Sequence, residues 1–206
     1  MGNRAVITTP DKKMGVYLHW NGGRDSVEAF LHYCELHGFR SPDRDPYGWA
    51  RLCQVIDNFF GGGLSVGVGL YDQLDTDNWD NGVYIIEGWR IVGREFNRYA
   101  EQDSYDHMDM LHDIDDSQPE GMRLGRYIDA VEVPVSEVEE GEEVWLESLR
   151  GGFEPYRVCG FAEPPSLRGT GKRLPFVERC NAGEGREAVL RNPNNFIRSA
   201  TVRVTR

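Results

Sequence analysis

What this chain lacks sets its limits first. No apolar run approaches the roughly 20 residues that a bilayer-spanning helix needs, which excludes a helical membrane protein. The first ten residues hold no signal-type apolar block, and Val6 stands where an N-myristoylation motif beginning at Gly2 wants Ser or Thr. Cysteine is sparse: Cys34, Cys53, Cys159 and Cys180 are widely spaced without a Cys-x-x-Cys pair, which excludes the common zinc and thioredoxin-type motifs. Cys34 and Cys53 fall on apolar helix faces and read as small buried hydrophobes, suited to a reducing cytosol. Basic residues are outnumbered, 23 against 34 acidic, for a net charge of −11. That balance excludes non-specific nucleic-acid binding over the whole surface. Walker A, dinucleotide-fingerprint, Gly-x-Ser-x-Gly and His-Glu-x-x-His patterns are all missing. No catalytic residue, metal site or cofactor is expected.

What is present makes a globular protein. The 206 residues are 39% hydrophobic and 11% aromatic, enough for a real core. The charge is uneven. Residues 1–94 carry 9 basic and 12 acidic groups, 95–150 carry 4 and 17, and 151–206 carry 10 and 5.

The stretch Met14–His37 reads as an apolar strand, a tight Asn-Gly-Gly turn and an amphipathic helix. Residues 4–8 form a first strand, antiparallel to a second at 16–20 across the Pro10–Lys13 turn. From Asp25 the period becomes helical, with Val27, Phe30, Leu31 and Cys34 on one face and Gly38 as the stop. Asp45 caps a second helix with Pro46 in its first turn, and Trp49, Leu52, Cys53, Ile56, Phe59 and Phe60 form its stripe. Gly61–Gly63 ends it. A strand over 64–70, a polar loop over 72–81 and a hairpin turning at Glu87-Gly88 follow. Ser104 caps a third helix with Tyr105, Met108, Leu111 and Ile114 inward. Beyond it the pattern is β again, at 128–135, 143–147, 156–161 and 200–206, short strands that imply a small barrel or curled sheet. The expected fold is α+β: a mixed sheet with two or three helices over residues 1–120, then a smaller β-rich, barrel-like part over 121–206. One continuous domain is the alternative.

Five clusters bear on function. In Asn21-Gly22-Gly23-Arg24-Asp25-Ser26, helix-start amides beside side-chain-free backbone suit an anion, and Arg24 adds a charge. Asp25 there competes with an anionic ligand. Tyr47 with Arg51 and Gln54, on the second helix, sets an aromatic beside a guanidinium, a pairing that suits a nucleobase or phosphate. Trp20 supplies a further stacking face. Asp75–Gly82 is rich in oxygen ligands but puts Trp79 and Asp80 where a calcium loop needs Asp/Asn and Gly, so a solvated loop is expected. The pairs His32/His37 and His107/His112 are five apart and do not share a helix face. Asp106, Asp109, Asp113 and Asp116 follow 3-4-3 spacing and make an acidic row, extended by Glu137, Glu139, Glu140, Glu142 and Glu143. Such a row is either solvated surface or an imitation of a phosphate backbone.

The wording of residues 15–34, with Tyr47-Gly-Trp-Ala-Arg-Leu-Cys-Gln-Val-Ile and Asn58-Phe-Phe-Gly-Gly after it, resembles small proteins of bacterial temperate phages and mobile elements. The resemblance covers residues 1–95 and brings no fold, activity or site with it. It implies a cytoplasmic accessory protein of a bacterial host cell, a class that often blunts host immunity. The leading expectation is a binding protein that captures a small anionic, nucleotide-like ligand through Trp20, Asn21, Gly22, Gly23, Arg24, Ser26, Tyr47 and Arg51, and so counters host immune signalling. The first alternative is an acidic, DNA-mimic-like inhibitor that contacts a host defence protein through Asp106, Asp109, Asp113 and Asp116. The second is a hydrolase acting on the same nucleotide.

Overall fold

The computed structural model describes residues 2–63, 65–97, 107–147, 153–180 and 196–205. They form two compact units, 1–125 and 126–206. The fold is α+β, as its sequence grammar implies.

In the first unit, β1 (Ala5–Thr8), β2 (Met14–Leu18), β3 (Val66–Leu70), β4 (Val83–Glu87) and β5 (Arg90–Glu95) make one mixed sheet in the order β3-β2-β1-β4-β5. β1 lies at its centre, antiparallel to β2 and parallel to β4. All four of its residues are buried, so both its faces meet packed structure and its side chains do not alternate in polarity. Ile7, Val16 and Tyr84 share a cross-strand row. That row faces the start of α1 (Arg24–Leu36), because the Tyr84 hydroxyl donates to the Gly22 carbonyl at 3.0 Å. On the opposite face Leu74 fills the space above Gly15 and Gly69.

α1 packs toward β5 and α2 (Pro46–Phe59) toward β3, while α3 (Met108–Ser117) packs on both helices. α1 is therefore buried on two sides, with Tyr33 and Leu36 inward beside Val27, Phe30, Leu31 and Cys34. One stripe was legible in the sequence; the second exists because α3 covers it. α2 is likewise rotated from its expected face. Leu52, Val55 and Ile56 are buried, while Trp49, Cys53, Phe59 and Phe60 are half-buried. The residues Ser104, Tyr105 and Asp106 lie outside the described residues. The N-cap of α3 is His107, which makes no side-chain capping bond.

Two further details depart from the sequence reading. The hairpin turns at Gly88-Trp89, not Glu87-Gly88, since Glu87 pairs with Arg90. The cause is Trp89, whose indole is buried and donates from Nε1 to the Phe39 carbonyl at 2.7 Å. The 72–81 loop is built around Asn78 rather than solvated throughout. Asn78 is fully buried, donates to the Asp75 and Gly82 carbonyls and accepts from the amides of Asp80 and Gly82.

A buried carboxylate ties the end of this unit. Asp115 is 5% exposed and accepts from the Tyr33 hydroxyl at 2.6 Å and from the amides of Leu124 and Gly125 at 2.6 and 2.9 Å. These bonds hold residues 121–125 with the first unit, past the boundary expected at 120. Burial, and then the Asp115 carboxylate, push the Tyr33 phenol well above its ordinary pKa.

The second unit is an all-antiparallel sheet of β6 (Val131–Pro134), β7 (Glu143–Glu147), β8 (Phe153–Ala162), β9 (Leu174–Arg179) and β10 (Thr201–Thr205), ordered β6-β10-β7-β8-β9. Its larger core cluster is almost entirely valine, Val133, Val138, Val144, Val158, Val177, Val202 and Val204 with Ile197, and Phe176 and Phe196 form a second one. The sheet is not closed into a barrel, a correction to the expected shape, since the edge strands β6 and β9 do not pair with each other. β9 escaped the sequence reading because Pro175 interrupts it; an edge strand tolerates that proline.

Tyr33→Phe removes one donor to Asp115 and is expected to cost ~1–2 kcal/mol, while Asp115→Ala strands two amides and a hydroxyl and costs about 3 kcal/mol. Urea unfolding followed by tryptophan fluorescence checks both, because four of the five tryptophans lie in the first unit.

Candidate functional site

The residues expected to form one anion site occupy two places. The strand–turn–helix corner is a packing junction. The Gly22 amide donates to the Asn3 carbonyl at 2.7 Å, and a Cβ on Gly22 would lie 2.6 Å from that oxygen and 2.7 Å from the Arg4 carbonyl carbon. Glycine is there so that two backbones can touch. Gly23 is the N-cap of α1 without a side-chain bond, and a Cβ on it would lie 2.7 Å from Asp25 Oδ1, so a carboxylate stands over the helix start. Ser26 is buried and accepts from Asn21 at 3.5 Å. Arg24 donates from Nε to Glu28 Oε1 at 2.7 Å. Trp20 is 44% exposed and lies edge-on to His19. The Gly22 amide and the Arg24 guanidinium are therefore already engaged by the protein's own groups.

Tyr47 and Arg51 sit near the other end of α1, a helix of 13 residues that at ~1.5 Å per residue is about 20 Å long. The chain leaves α1 through Gly38, whose φ of +67° favours glycine, and the Phe39 amide caps back to the Cys34 carbonyl at 3.1 Å. It then crosses the first turn of α2 at Gly48, where a Cβ would come within 2.4 Å of Pro42 N and 2.7 Å of the Arg40 carbonyl. Asp45 fastens this crossing twice. Its Oδ1 accepts from the Tyr47 amide at 2.9 Å as N-cap of α2, and its Oδ2 accepts from Arg40 at 2.5 Å.

The outcome is a hollow of about 330 Å³ lined by Gly38, Phe39, Arg40, Tyr47 and Arg51. The Tyr47 ring is 70% exposed. The Arg51 guanidinium lies 5.3 Å from the Phe39 ring centroid and donates to Gln54 Oε1 at 2.8 Å. It has no carboxylate partner among the described residues. Phe39 in turn stacks on His37, centroids 4.7 Å apart and planes 7° apart, and His37 meets Tyr33 edge-on. A column of rings thus runs from surface Arg51 to buried Tyr33. Burial holds the His37 pKa below its ordinary value against the raising influence of the Met122 backbone and the Asp115 carboxylate, and the Arg51 charge adds a smaller depression. His37 Nε2 is buried without a partner.

A larger cleft of about 850 Å³ lies on the far side of the same loop, beside Trp49 and Trp89. Several of its polar groups are already engaged. Asp43 accepts from the Gly88 amide, Glu35 pairs with Arg90, and Asp11 pairs with Lys13 and Thr9. Arg44 and Glu87 also line it, and neither has an ion-pair partner among the described residues.

The structure also joins what sequence spacing kept apart. His32 Nδ1 and His107 Nε2 are 3.0 Å apart, with centroids at 5.2 Å, so the two nitrogens meet head-on across a shared proton rather than converging on a metal. No group of three or more His, Cys, Asp or Glu able to hold a metal occurs among the described residues. On α3, Asp109, Asp113 and Asp116 are exposed, and Asp106 lies outside the described residues. Asp115 was missed as a structural residue. Its position four after Leu111 on the apolar stripe was the available signal. The thiols are not activated nucleophiles: burial pushes Cys34 far up, Cys53 to about 11, and Cys159 and Cys180 upward. No helix among the described residues is long and apolar enough to cross a membrane.

No protein-family model, curated protein or solved structure matches this chain.

Two outcomes follow from this geometry. Gly22→Ala is expected to destabilise the first unit by about 2 kcal/mol or more, since no flexible side chain can yield to the new Cβ; thermal unfolding checks it. Protonating His37 costs more in the folded protein than in the unfolded chain. Stability conferred by neutral His37 is therefore fully present above pH ~6.5 and declines as pH falls from there through the depressed folded value. His37→Phe, which keeps a ring on Phe39, flattens the stability profile below pH ~6.5, the ordinary imidazole pKa.

Proposed function

We propose that the first unit is a binding module for a small anionic ligand bearing a planar ring, a nucleotide-like molecule, and that it acts by capture. One observation carries the reading: the hollow of Arg40, Tyr47 and Arg51 holds an exposed ring and a guanidinium that no carboxylate among the described residues neutralises. Arg51 is oriented from one side by Phe39 and from the other by Gln54, so its fork is held ready for a phosphate or carboxylate at little entropic cost. Tyr47 offers a stacking face for a base. Arg40 lines the rim with its guanidinium already paired to Asp45, so Arg51 supplies the charge of this hollow. In this reading the Gly22–Gly23 corner fastens the scaffold rather than touching the ligand. We extend the proposal to host immunity, on the phage-like wording of residues 1–95: capture there would act by removing a nucleotide signal.

A second reading keeps the acidic helix. Asp109, Asp113 and Asp116 are exposed on α3, a surface suited to a basic, nucleic-acid-binding host protein. It predicts association that weakens with salt.

Titrating the full chain with mono-, di- and cyclic nucleotides, followed by thermal shift and calorimetry, separates these. Capture predicts stabilisation by at least one of them, binding weakened ~10–100-fold by Arg51→Ala and unchanged by Arg24→Ala. A flat response to every nucleotide by folded protein overturns the proposal. Chromatography of the nucleotide after incubation reads turnover, and recovery of the intact compound is the expected result.

A further inference from the structure

The four sheet edges among the described residues are not alike. β5 carries Arg90, Arg94 and Glu95, and its pairing with β4 is broken by a bulge at Ile85/Ile86. β6 contains Glu132 and ends in Pro134. β9 contains Pro175, Glu178 and Arg179 and is bridged at Phe176 by Phe196. Charge, proline and bulges are the devices by which natural sheets prevent edge-to-edge pairing. β3 has none of them. Its sequence is Val66-Gly67-Val68-Gly69-Leu70, with Val68 53% and Leu70 52% exposed.

The hydrogen-bond parity of this edge is determined. The Tyr71 amide donates to the Lys13 carbonyl and the His19 amide to the Ser65 carbonyl. With Met14 opposite Leu70 and Leu18 opposite Val66, the bonded pairs between β2 and β3 are therefore those through the odd-numbered residues, including Gly67 and Gly69. The amides and carbonyls of Val66, Val68 and Leu70 point away from β2, and no backbone partner for them occurs among the described residues.

The alternation has a second effect. The residues whose backbone points outward are the ones with side chains, all on the face shared with Val16, while Gly67 and Gly69 add none to the other face, where Leu74 lies over Gly69. We propose that β3 pairs antiparallel with β3 of a second copy of this chain, centred on Val68, to make a two-fold dimer with one continuous ten-stranded sheet. Val68 then exchanges both its backbone bonds with its own counterpart, and Val66 does so with Leu70 of the other copy. Each copy contributes three N–H and three C=O groups. The side chains meet as Val68 on Val68 and Val66 on Leu70, with glycine opposite glycine on the other face. A second copy is the occupant because this register is self-complementary throughout, and because copies each carrying a net charge of −11 meet here along a strip without any charge. An edge of five residues lies at or below the low end of specific interfaces, about 1,200 Å² in total. The dimer is accordingly weak, and it strengthens as salt screens the repulsion between copies.

Sedimentation equilibrium of the full chain at roughly 1–300 μM, a span matched to such a small interface, is expected to show a reversible monomer–dimer equilibrium that shifts toward dimer in added salt. Val68→Pro removes an outward N–H that β2 does not use, and the preceding Gly67 accommodates the ring, so this variant is expected to fold and to remain monomeric at every loading. Val68→Lys, which adds a like charge at the two-fold axis without touching the backbone, is expected to do the same and decides the matter if the proline variant misfolds. Hydrogen exchange supplies an independent readout: the amides of Val66, Val68 and Leu70 slow as loading rises in the natural chain and stay fast in the variants. A protein that is monomeric throughout, or a dimer that persists in folded Val68→Lys, overturns the proposal.

Discussion

Backbone touching backbone at Gly22 determines where α1 begins, and most of the first unit follows from that contact. The Gly22 amide and carbonyl are bound on opposite sides, by Asn3 and by Tyr84. One residue thus fastens the helix start both to the strand that opens the chain and to β4. With that end held, α1 runs over the sheet and delivers its far end to the α1–α2 loop. There Gly48 repeats the device, letting residues 40–42 lie directly on α2. Neither contact tolerates a Cβ.

Several of the cations in this unit are paired locally. Arg4 binds Asp80, Lys12 binds Glu95, Arg24 binds Glu28, and Arg40 binds Asp45. These exposed or half-exposed pairs each contribute little to stability. Their importance lies in what they leave over. Arg51 is held by an amide and a ring instead of a carboxylate, so its positive charge remains available at the mouth of a small hollow. Asp115 is the counterpart on the interior side, a carboxylate wholly surrounded by donors, which closes the unit through Leu124 and Gly125. An exposed cation and a buried anion are joined by the ring column of Phe39, His37 and Tyr33, so the hollow rests on the rigid part of the fold.

The two sheets solve the same problem with different materials. The central strand of the first is buried on both faces because helices lie on one side and the Leu74 segment on the other. The second draws its larger core cluster from valines set mostly along its strands and stays open. Openness leaves edges, and three of the four edges among the described residues carry protection. The bare one belongs to the strand with the most glycine, where every side chain sits on the same face.

Patterns with a local cause could be read directly from the chain. Asp45 before Pro46 announced the start of α2, the period-3.6 run of Val27, Phe30, Leu31 and Cys34 announced α1, and the alternation at 201–205 announced the last strand. Each is decided within a few residues by capping bonds, side-chain direction and backbone freedom. What sequence could not decide was anything resting on which segments meet. The second buried side of α1 requires α3. The shift of the hairpin to Gly88-Trp89 requires the Phe39 carbonyl. The pairing of His32 with His107 joins residues 75 apart. The Asn-Gly-Gly turn shows the limit most clearly, because the same glycines suit an anion or a neighbouring backbone equally well, and local sequence records only that space is needed. Tertiary structure filled that space with Asn3 and Arg4 and put the uncommitted charge at Arg51, since only the folded chain determines which donors already have an acceptor.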